Sequence, residues 1–173
     1  GQPPPGLDVR LSLDLNLQRQ ADVLLRGQRG ALVLINAQSG EILAMASHPA
    51  FDANQLEQLW DSLVADPASP LLNRAVLGVY PLGDWQRSPF ATAFSSIELL
   101  PAPETRLPNR AGATSLRDAN GLSPLQVALV AAALTAEGVQ PAPLVVLAVD
   151  LPQTGWVFLP ALEEARQVFP PEV

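Results

Sequence analysis

Hydrophobic positions follow two different periods near the start of the chain. Residues 11–15 alternate between apolar and polar side chains, as in a β-strand. Residues 17–25 carry apolar side chains at helical spacing, which predicts an amphipathic helix. Asn16 is a suitable N-cap residue for this helix, and Gly27 predicts its end.

Two strand–turn–strand patterns follow. Apolar residues 31–36 and 41–47 flank a turn whose Gly40 can adopt a positive φ, so this region predicts a β-hairpin. Its apolar runs lack clean alternation, which indicates that both faces are covered. Residues 144–159 predict a second hairpin around a turn at 152–155, and we expect it to add strands to the same sheet.

Ser123 and Pro124 predict the start of a central helix, since Ser is a favoured N-cap residue and Pro a favoured first helical residue. The helix is predicted to end at Gly138, and it is apolar almost all round, which is typical of a buried helix. The remaining predictions are short helical pieces around 55–63, a helix over 84–94, a loop over 98–121 and a short helix over 162–168. The fold class is therefore α/β (α+β), with an antiparallel sheet covered by helices.

Composition narrows the possible partners. The chain has 173 residues and a net charge of −7, which argues against nucleic acid or an anionic membrane surface as a ligand. It contains no cysteine, so disulfides and thiolate metal sites are excluded. The carboxylates Asp8, Asp14 and Asp22 are too irregularly spaced to predict a metal site, and no motif predicts a cofactor. The longest apolar run, 127–134, is too short to span a bilayer.

Pro-rich ends set the expected domain bounds. Residues 1–8 predict an extended linker, residues 9–168 one folded domain, and residues 169–173 a tail.

The most informative motif lies at residues 73–87, which read Asn-Arg-Ala-Val-Leu-Gly-Val-Tyr-Pro-Leu-Gly-Asp-Trp-Gln-Arg. This stretch resembles the segment of penicillin-binding protein transpeptidases in which Asn-Arg-Ala leads into Tyr-x-Pro-Gly and then Ser-x-x-Lys. In that family the serine is the nucleophile and the lysine activates it. Here Asp84 stands at the serine position and Arg87 at the lysine position, and all ten basic residues of the chain are Arg.

Further segments resemble the same family in the same order. They are the strand and helix start at 9–20, the Gly-Glu-Ile-Leu-Ala-Met hairpin strand at 40–45, the Pro-Ala-Phe-Asp-Ala-Asn loop at 49–54, the Ser-Pro-Leu-Gln helix start at 123–126 and the Thr-Ala-Glu-Gly helix end at 135–138. The resemblance implies a reduced transpeptidase fold. It also implies family-like binding positions, namely Asn73, Arg74, Tyr80, Gly83, Gln126, Thr154 and Gly155.

Departures from the family pattern bear on the chemistry. The family also carries Ser-x-Asn and Lys-Thr-Gly motifs. No Ser-x-Asn occurs in this chain, and residues 94–101 join segments that the family separates by a helical subdomain, so most of that subdomain is expected to be missing. Residues 153–155, Gln-Thr-Gly, match Lys-Thr-Gly at two of three positions, and the Gln at the first position supplies no positive charge.

A structural interpretation of Asp84 and Arg87 is the simpler one. Asp near a helix N-terminus is favoured by the helix dipole, and an Arg three residues later can pair with it. The other chemical candidates are weaker. His48 is expected in a surface loop, Ser88 has no lysine to activate it, and Trp85 is expected to pack in the core.

These observations support a catalytically inactive homologue that acts as a binding or scaffold module in peptidoglycan assembly. The expected partners are cell-wall synthesis proteins or peptidoglycan. The expected location is the extracytoplasmic face of the cell membrane, with any anchor upstream of residue 1. Two alternatives stay open: an enzyme of the same family that binds penicillin and cross-links peptidoglycan, and a fragment of a longer chain that has a separate active module.

Overall fold

The computed structural model describes residues 6–81, 121–161 and 164–168. The predicted helix at 84–94 and nearly all of the predicted loop at 98–121 lie outside these residues. The described strands are β1 Val9–Leu11, β2 Gly30–Ile35, β3 Ile42–His48, β4 Val139–Gln140, β5 Val146–Leu151, β6 Gly155–Phe158 and β7 Arg166–Gln167. The described α-helices are α1 Leu15–Leu25, α2 Leu56–Ala65 and α3 Pro124–Thr135, and a 3-10 turn, Ala53–Gln55, precedes α2.

The first predicted hairpin is confirmed. Strands β2 and β3 pair antiparallel from Gly30 opposite His48 to Ile35 opposite Ile42, with an irregularity next to Ile35. The turn between them depends on Asn36, whose carbonyl accepts from the Gly40 N–H at 2.9 Å and whose side chain accepts from the Gln38 N–H at 3.0 Å. Gly40 has a φ of 76°, as its place in the turn predicts.

Helices cover both faces of this hairpin, which confirms the inference from its apolar runs. On one face α1 packs through Ala21 against the buried Ala44 and Ala46 of β3. On the other face α3 packs through Leu125 and Leu129. Small alanines on β3 let α1 approach closely, while the larger leucines of α3 fill the main core.

The start of α3 is also confirmed. Ser123 and Gln126 form a reciprocal capping box, in which the Ser123 hydroxyl accepts from the Gln126 N–H at 3.2 Å and the Gln126 side chain accepts from the Ser123 N–H at 2.9 Å. The expectation of a helix buried all round is wrong on one side, because Val127 and Ala131 are exposed. Alanine is the strongest helix former, so its presence does not require burial.

The prediction of a single sheet is wrong. Strands β5 and β6 pair with each other, but β5 pairs on its other edge with β1, giving a three-stranded sheet in the order β1-β5-β6. A single parallel bridge between Glu41 and Leu144 links this sheet to the first hairpin. The physical reason is that β1 occupies the edge of β5 that the hairpin would have needed. The two units still share one core, in which Val145 packs with Ile42.

Three local predictions also need correction. The N-cap of α1 is Asp14 rather than Asn16, since Asp14 Oδ1 accepts from the N–H groups of Asn16 at 2.7 Å and Leu17 at 3.1 Å. The helical pieces near 55–63 form one helix, α2. The short helix predicted over 162–168 is replaced by β7, because this segment pairs with β4 and the Val168 N–H bonds the Gly138 carbonyl at 2.8 Å.

Within the described ranges, no helix combines the length and the hydrophobicity needed to cross a membrane. The proposed domain limits at residues 8 and 168 stay predictions.

Two glycines with nearly the same φ allow a matched test of packing at the hairpin turn. Gly27 and Gly40 have φ values of 74° and 76°, but a Cβ at Gly27 would meet open space, whereas one at Gly40 would collide with the carbonyl of Ala142. We expect Gly27→Ala to cost about 1 kcal/mol of unfolding free energy from backbone strain alone. Gly40→Ala should cost about 1–3 kcal/mol more because of the collision. Urea denaturation of both variants measures the difference, and equal losses would contradict the close approach of Ala142.

Candidate functional site

The segment after α2 carries three of the family-like positions: Asn73, Arg74 and Tyr80. Arg74 is among the largest fully buried side chains of the described chain, with 2% of its surface exposed. A buried charge normally requires partners that compensate for lost hydration. The partners of Arg74 therefore decide what this residue does.

Backbone carbonyls surround the Arg74 guanidinium. Nη1 donates to the carbonyls of Ser69 at 3.0 Å and Leu72 at 3.3 Å, and Nη2 donates to the carbonyl of Ala68 at 2.5 Å. Among the described residues, no carboxylate forms an ion pair with it. The planar fork of Arg suits such a set of acceptors, whereas the single ammonium of Lys does not. The hydrogen bonds from the Arg74 guanidinium to these carbonyls thus hold the turn at residues 68–72 in place.

Ser47 ties this turn to the sheet. Its hydroxyl accepts from the Arg74 backbone N–H at 2.9 Å and donates to the Leu72 carbonyl at 3.1 Å. Because Ser47 lies on β3, the turn is attached directly to the central hairpin.

Asn73 continues the turn towards α3. Its side-chain oxygen accepts from the Ala75 N–H at 3.1 Å, and its carbonyl accepts from the Leu77 N–H at 2.8 Å. The Ala75 carbonyl in turn accepts from the Leu125 N–H at 3.0 Å, close to the start of α3. The Asn-Arg-Ala motif therefore connects β3 to the N-terminus of α3.

A two-hydrogen-bond bridge joins Tyr80 to Leu122. The N–H of each residue donates to the carbonyl of the other, both at 3.0 Å. Gly78 and Gly121 permit this approach: a Cβ on Gly78 would lie 2.7 Å from the Tyr80 ring, and one on Gly121 would lie 2.7 Å from the Tyr80 carbonyl carbon. The described segments that end at Pro81 and begin at Gly121 are thus held side by side.

Gln126 lies in the same neighbourhood, since its cap partner Ser123 directly follows Leu122. Its Nε2 atom is buried and has no hydrogen-bond partner among the described residues. Tyr80, by contrast, is 38% exposed. The structure therefore brings Asn73, Arg74, Tyr80 and Gln126 into one connected region.

The other family-like positions are not brought there. Thr154 and Gly155 lie at the turn between β5 and β6, where the Thr154 N–H donates to the Leu151 carbonyl at 3.2 Å. Gln153 and Thr154 thus lie in the hairpin turn, and Gly155 is the first residue of β6, an edge strand of the three-stranded sheet. Gly83, Asp84 and Arg87 lie outside the described residues, as do Trp85 and Ser88, and the roles of all these positions stay predictions.

His48 was expected in an exposed loop, and this expectation is wrong. It ends β3, and its side chain is 14% exposed with Nε2 3.2 Å from Asp22 Oδ1 of α1. The contact links α1 to β3. Asp22 is 26 residues from His48, and no local sequence pattern predicts the pair.

Asp52 lies in the family-like loop at 49–54. The N–H of Asn54 donates to its carboxylate at 2.9 Å, which lowers the pKa of Asp52, and the side chains of Asn54 and Gln55 add to this effect. No group of His, Cys, Asp and Glu side chains suited to a metal ion occurs in the part of the chain that the structure describes.

Comparison with known proteins agrees with this geometry. Residues 30–83 match the family model of the penicillin binding protein transpeptidase domain. Over residues 30–83 the chain is therefore similar to the penicillin-binding protein transpeptidase domain. Peptidoglycan D,D-transpeptidase MrdA of Escherichia coli strain K12 is 40% identical over 84 residues, which are 46% of this chain and 13% of that protein. The chain thus covers only a small part of the length of this curated relative.

Solved structures show the same fold. The penicillin G acyl-enzyme complex of penicillin-binding protein A from M. tuberculosis superposes with a TM-score of 0.76 at 20% identity, over 99% of this chain and 62% of that one. A structure described as a peptidoglycan synthase complex that coordinates polymerization and crosslinking has a TM-score of 0.62 at 21% identity, over 94% and 48% of the two chains. The fold is therefore a reduced transpeptidase fold.

Removal of the Arg74 guanidinium should destabilise the whole domain. Arg74→Met would remove the donor that serves the Ala68 and Ser69 carbonyls, while the Leu72 carbonyl would keep the Ser47 hydroxyl. We expect a loss of about 3 kcal/mol in unfolding free energy. Arg74→Lys should give an intermediate loss, because one ammonium cannot reproduce the fork. Urea denaturation measures both, with the exposed Arg19→Met as the matched control. A loss no larger than that of the control would contradict the structural role.

Proposed function

We propose that this chain is a non-catalytic member of its family that serves as a binding or scaffold module in peptidoglycan assembly. One observation carries the proposal: Asp84 and Arg87 occupy the positions of the nucleophilic serine and its lysine. The family match runs through Gly83, directly before Asp84, which supports this register.

The chemistry of the two residues supports inactivity. An Asp carboxylate could attack a carbonyl only to give a labile anhydride. Arg stays protonated at any working pH, so Arg87 cannot accept the proton that a nucleophile releases. Loss of the nucleophile in such a unit typically lowers the rate by about 10⁶.

The chain also lacks groups for the later steps. It contains no lysine and no Ser-x-Asn, so a proton shuttle of the family type has no residues to form it. In the partial match to the third motif, Gln153 supplies no positive charge; Gln153 and Thr154 lie in the turn before β6, and Gly155 begins β6. The hydrogen bonds of Arg74 and Ser47 maintain the entry segment without any catalytic group.

Binding, by contrast, has available groups. Tyr80 is partly exposed, and the buried Nε2 of Gln126 has no acceptor among the described residues. We therefore place the proposed binding positions at Tyr80 and Gln126, with Asn73 and Arg74 holding the segment and Gly83, Thr154 and Gly155 as further family-like positions.

The names of the relatives suggest the process in which the chain acts and the class of its partners. MrdA is a peptidoglycan D,D-transpeptidase, and one structural neighbour is a peptidoglycan synthase complex. The proposed partners are accordingly cell-wall synthesis proteins or peptidoglycan, at the extracytoplasmic face of the membrane.

One observation favours the alternative of an active enzyme. The M. tuberculosis neighbour is an acyl-enzyme complex, so its fold supports acylation when the serine is present. An active chain of this family would form the same kind of adduct with penicillin. The two proposals therefore differ in one measurable product.

Penicillin should leave this protein unmodified. We expect the intact mass to stay unchanged after incubation with excess penicillin, because neither Asp84 nor any lysine can complete acyl transfer. Intact-mass spectrometry checks this, with a family member that carries Ser-x-x-Lys as the positive control. A stoichiometric adduct would establish the alternative.

Restoration of the first motif alone should not restore acylation. The double variant Asp84→Ser, Arg87→Lys would recreate Ser-x-x-Lys but would still lack Ser-x-Asn and the basic residue of the third motif. We expect it to fold within about 1 kcal/mol of the parent and to stay unreactive towards penicillin. Urea denaturation and intact-mass spectrometry are the two measurements. Rapid acylation would show that a working cleft survives in this chain.

A further inference from the structure

Helix α2 carries a continuous apolar stripe. Its apolar residues recur at the spacing of one helix face. They are Leu56, Leu59, Trp60, Leu63 and Val64. The polar residues Glu57, Gln58, Asp61 and Ser62 fall between them. Such a pattern normally faces a protein core.

Most of this stripe is exposed, although Leu56 and Leu63 are half-buried. Trp60 is 52% exposed, Val64 59% and Leu59 36%, and no residue of α2 is buried. In the described ranges, the adjoining 3-10 turn is the only helix or strand that packs on α2. Among the described helices and strands, none covers the amphipathic face of α2.

The helix is anchored at its start instead. Asp52 caps the 3-10 turn by accepting from the Asn54 N–H at 2.9 Å and from the Gln55 side chain at 3.1 Å. A helix of ten residues is marginal in water when no tertiary packing supports it. Coverage of the stripe by a partner would therefore stabilise α2 as well as bury its apolar side chains.

Charge selects the kind of partner. Residues 49–73 contain the acidic residues Asp52, Glu57, Asp61 and Asp66 and no Lys or Arg, and all four carboxylates are exposed. A second copy of the helix would oppose like charges, and an anionic lipid surface would repel the segment. A basic rim around an apolar groove complements both properties of α2.

We propose that α2 is a docking helix for a protein partner that offers an apolar groove rimmed by Arg and Lys, with Trp60 as the central anchor. This mode is helix-in-groove recognition. The inference rests on the proposed role of the chain as a binding module, and it assigns that binding to α2.

Site-specific photo-crosslinking in the cells that produce the protein provides the first test. A photoreactive amino acid replaces Val64 on the stripe or, as the matched control, Gln58 on the polar face. We expect the Val64 position to form an adduct with one protein other than this chain, and the Gln58 position to form none. An adduct with a second copy, equal adducts at both positions, or no adduct would overturn the proposal.

Binding of the purified cross-linked protein provides the second test. Trp60→Ala should weaken the affinity by about tenfold or more, as for central aromatic anchors, while Gln58→Ala should change it less than about twofold. Asp61→Asn should weaken binding and reduce its dependence on salt. Circular dichroism confirms that the variants fold. Unchanged affinity in Trp60→Ala would overturn the proposal even if the cross-link forms.

The outcome is separable from that of the proposed function. Acylation by penicillin would refute the non-catalytic assignment without affecting the cross-link at Val64. Absence of both acylation and cross-link would refute only the docking role of α2.

Discussion

The buried guanidinium of Arg74 is the constraint on which the candidate site depends. It organises the carbonyls of residues 68–72, and the backbone N–H of the same residue bonds Ser47 on β3. The carbonyl of the next residue, Ala75, accepts a hydrogen bond from the Leu125 N–H of α3. The side chain of Arg74 thus holds the turn that precedes the segment leading to Tyr80, together with the Ser47 hydroxyl, which also donates to the Leu72 carbonyl.

The residues that stabilise this segment differ from those that carry out acyl transfer in the family. The interactions that shape the segment use Arg74, Asn73 and Ser47, whereas acyl transfer in the family uses the serine and lysine of the following motif. The proposed replacement of the serine and lysine by Asp84 and Arg87 therefore leaves the described hydrogen bonds intact. The proposed binding role requires only that the fold be retained.

The exposed stripe of α2 gives such retention a physical purpose. Core faces of α1 and α3 bury their apolar side chains against the hairpin, while α2 keeps Trp60 and Val64 in solvent beside exposed carboxylates. Apolar groups left in water are costly unless something covers them for part of the time. The proposed partner is the element that covers them.

Local signals determined much of this protein from sequence alone. The 31–47 hairpin, the helix start at Ser123 and the turn at Gly40 follow from residues within a few positions of one another. The ordered motifs gave the resemblance to the transpeptidase family. Only the tertiary structure placed β1 against β5, paired His48 with Asp22 and replaced a helix near residue 166 with β7. Each of these outcomes depends on which of several residues or strands far apart in the chain pair most favourably. A local sequence pattern does not contain that information.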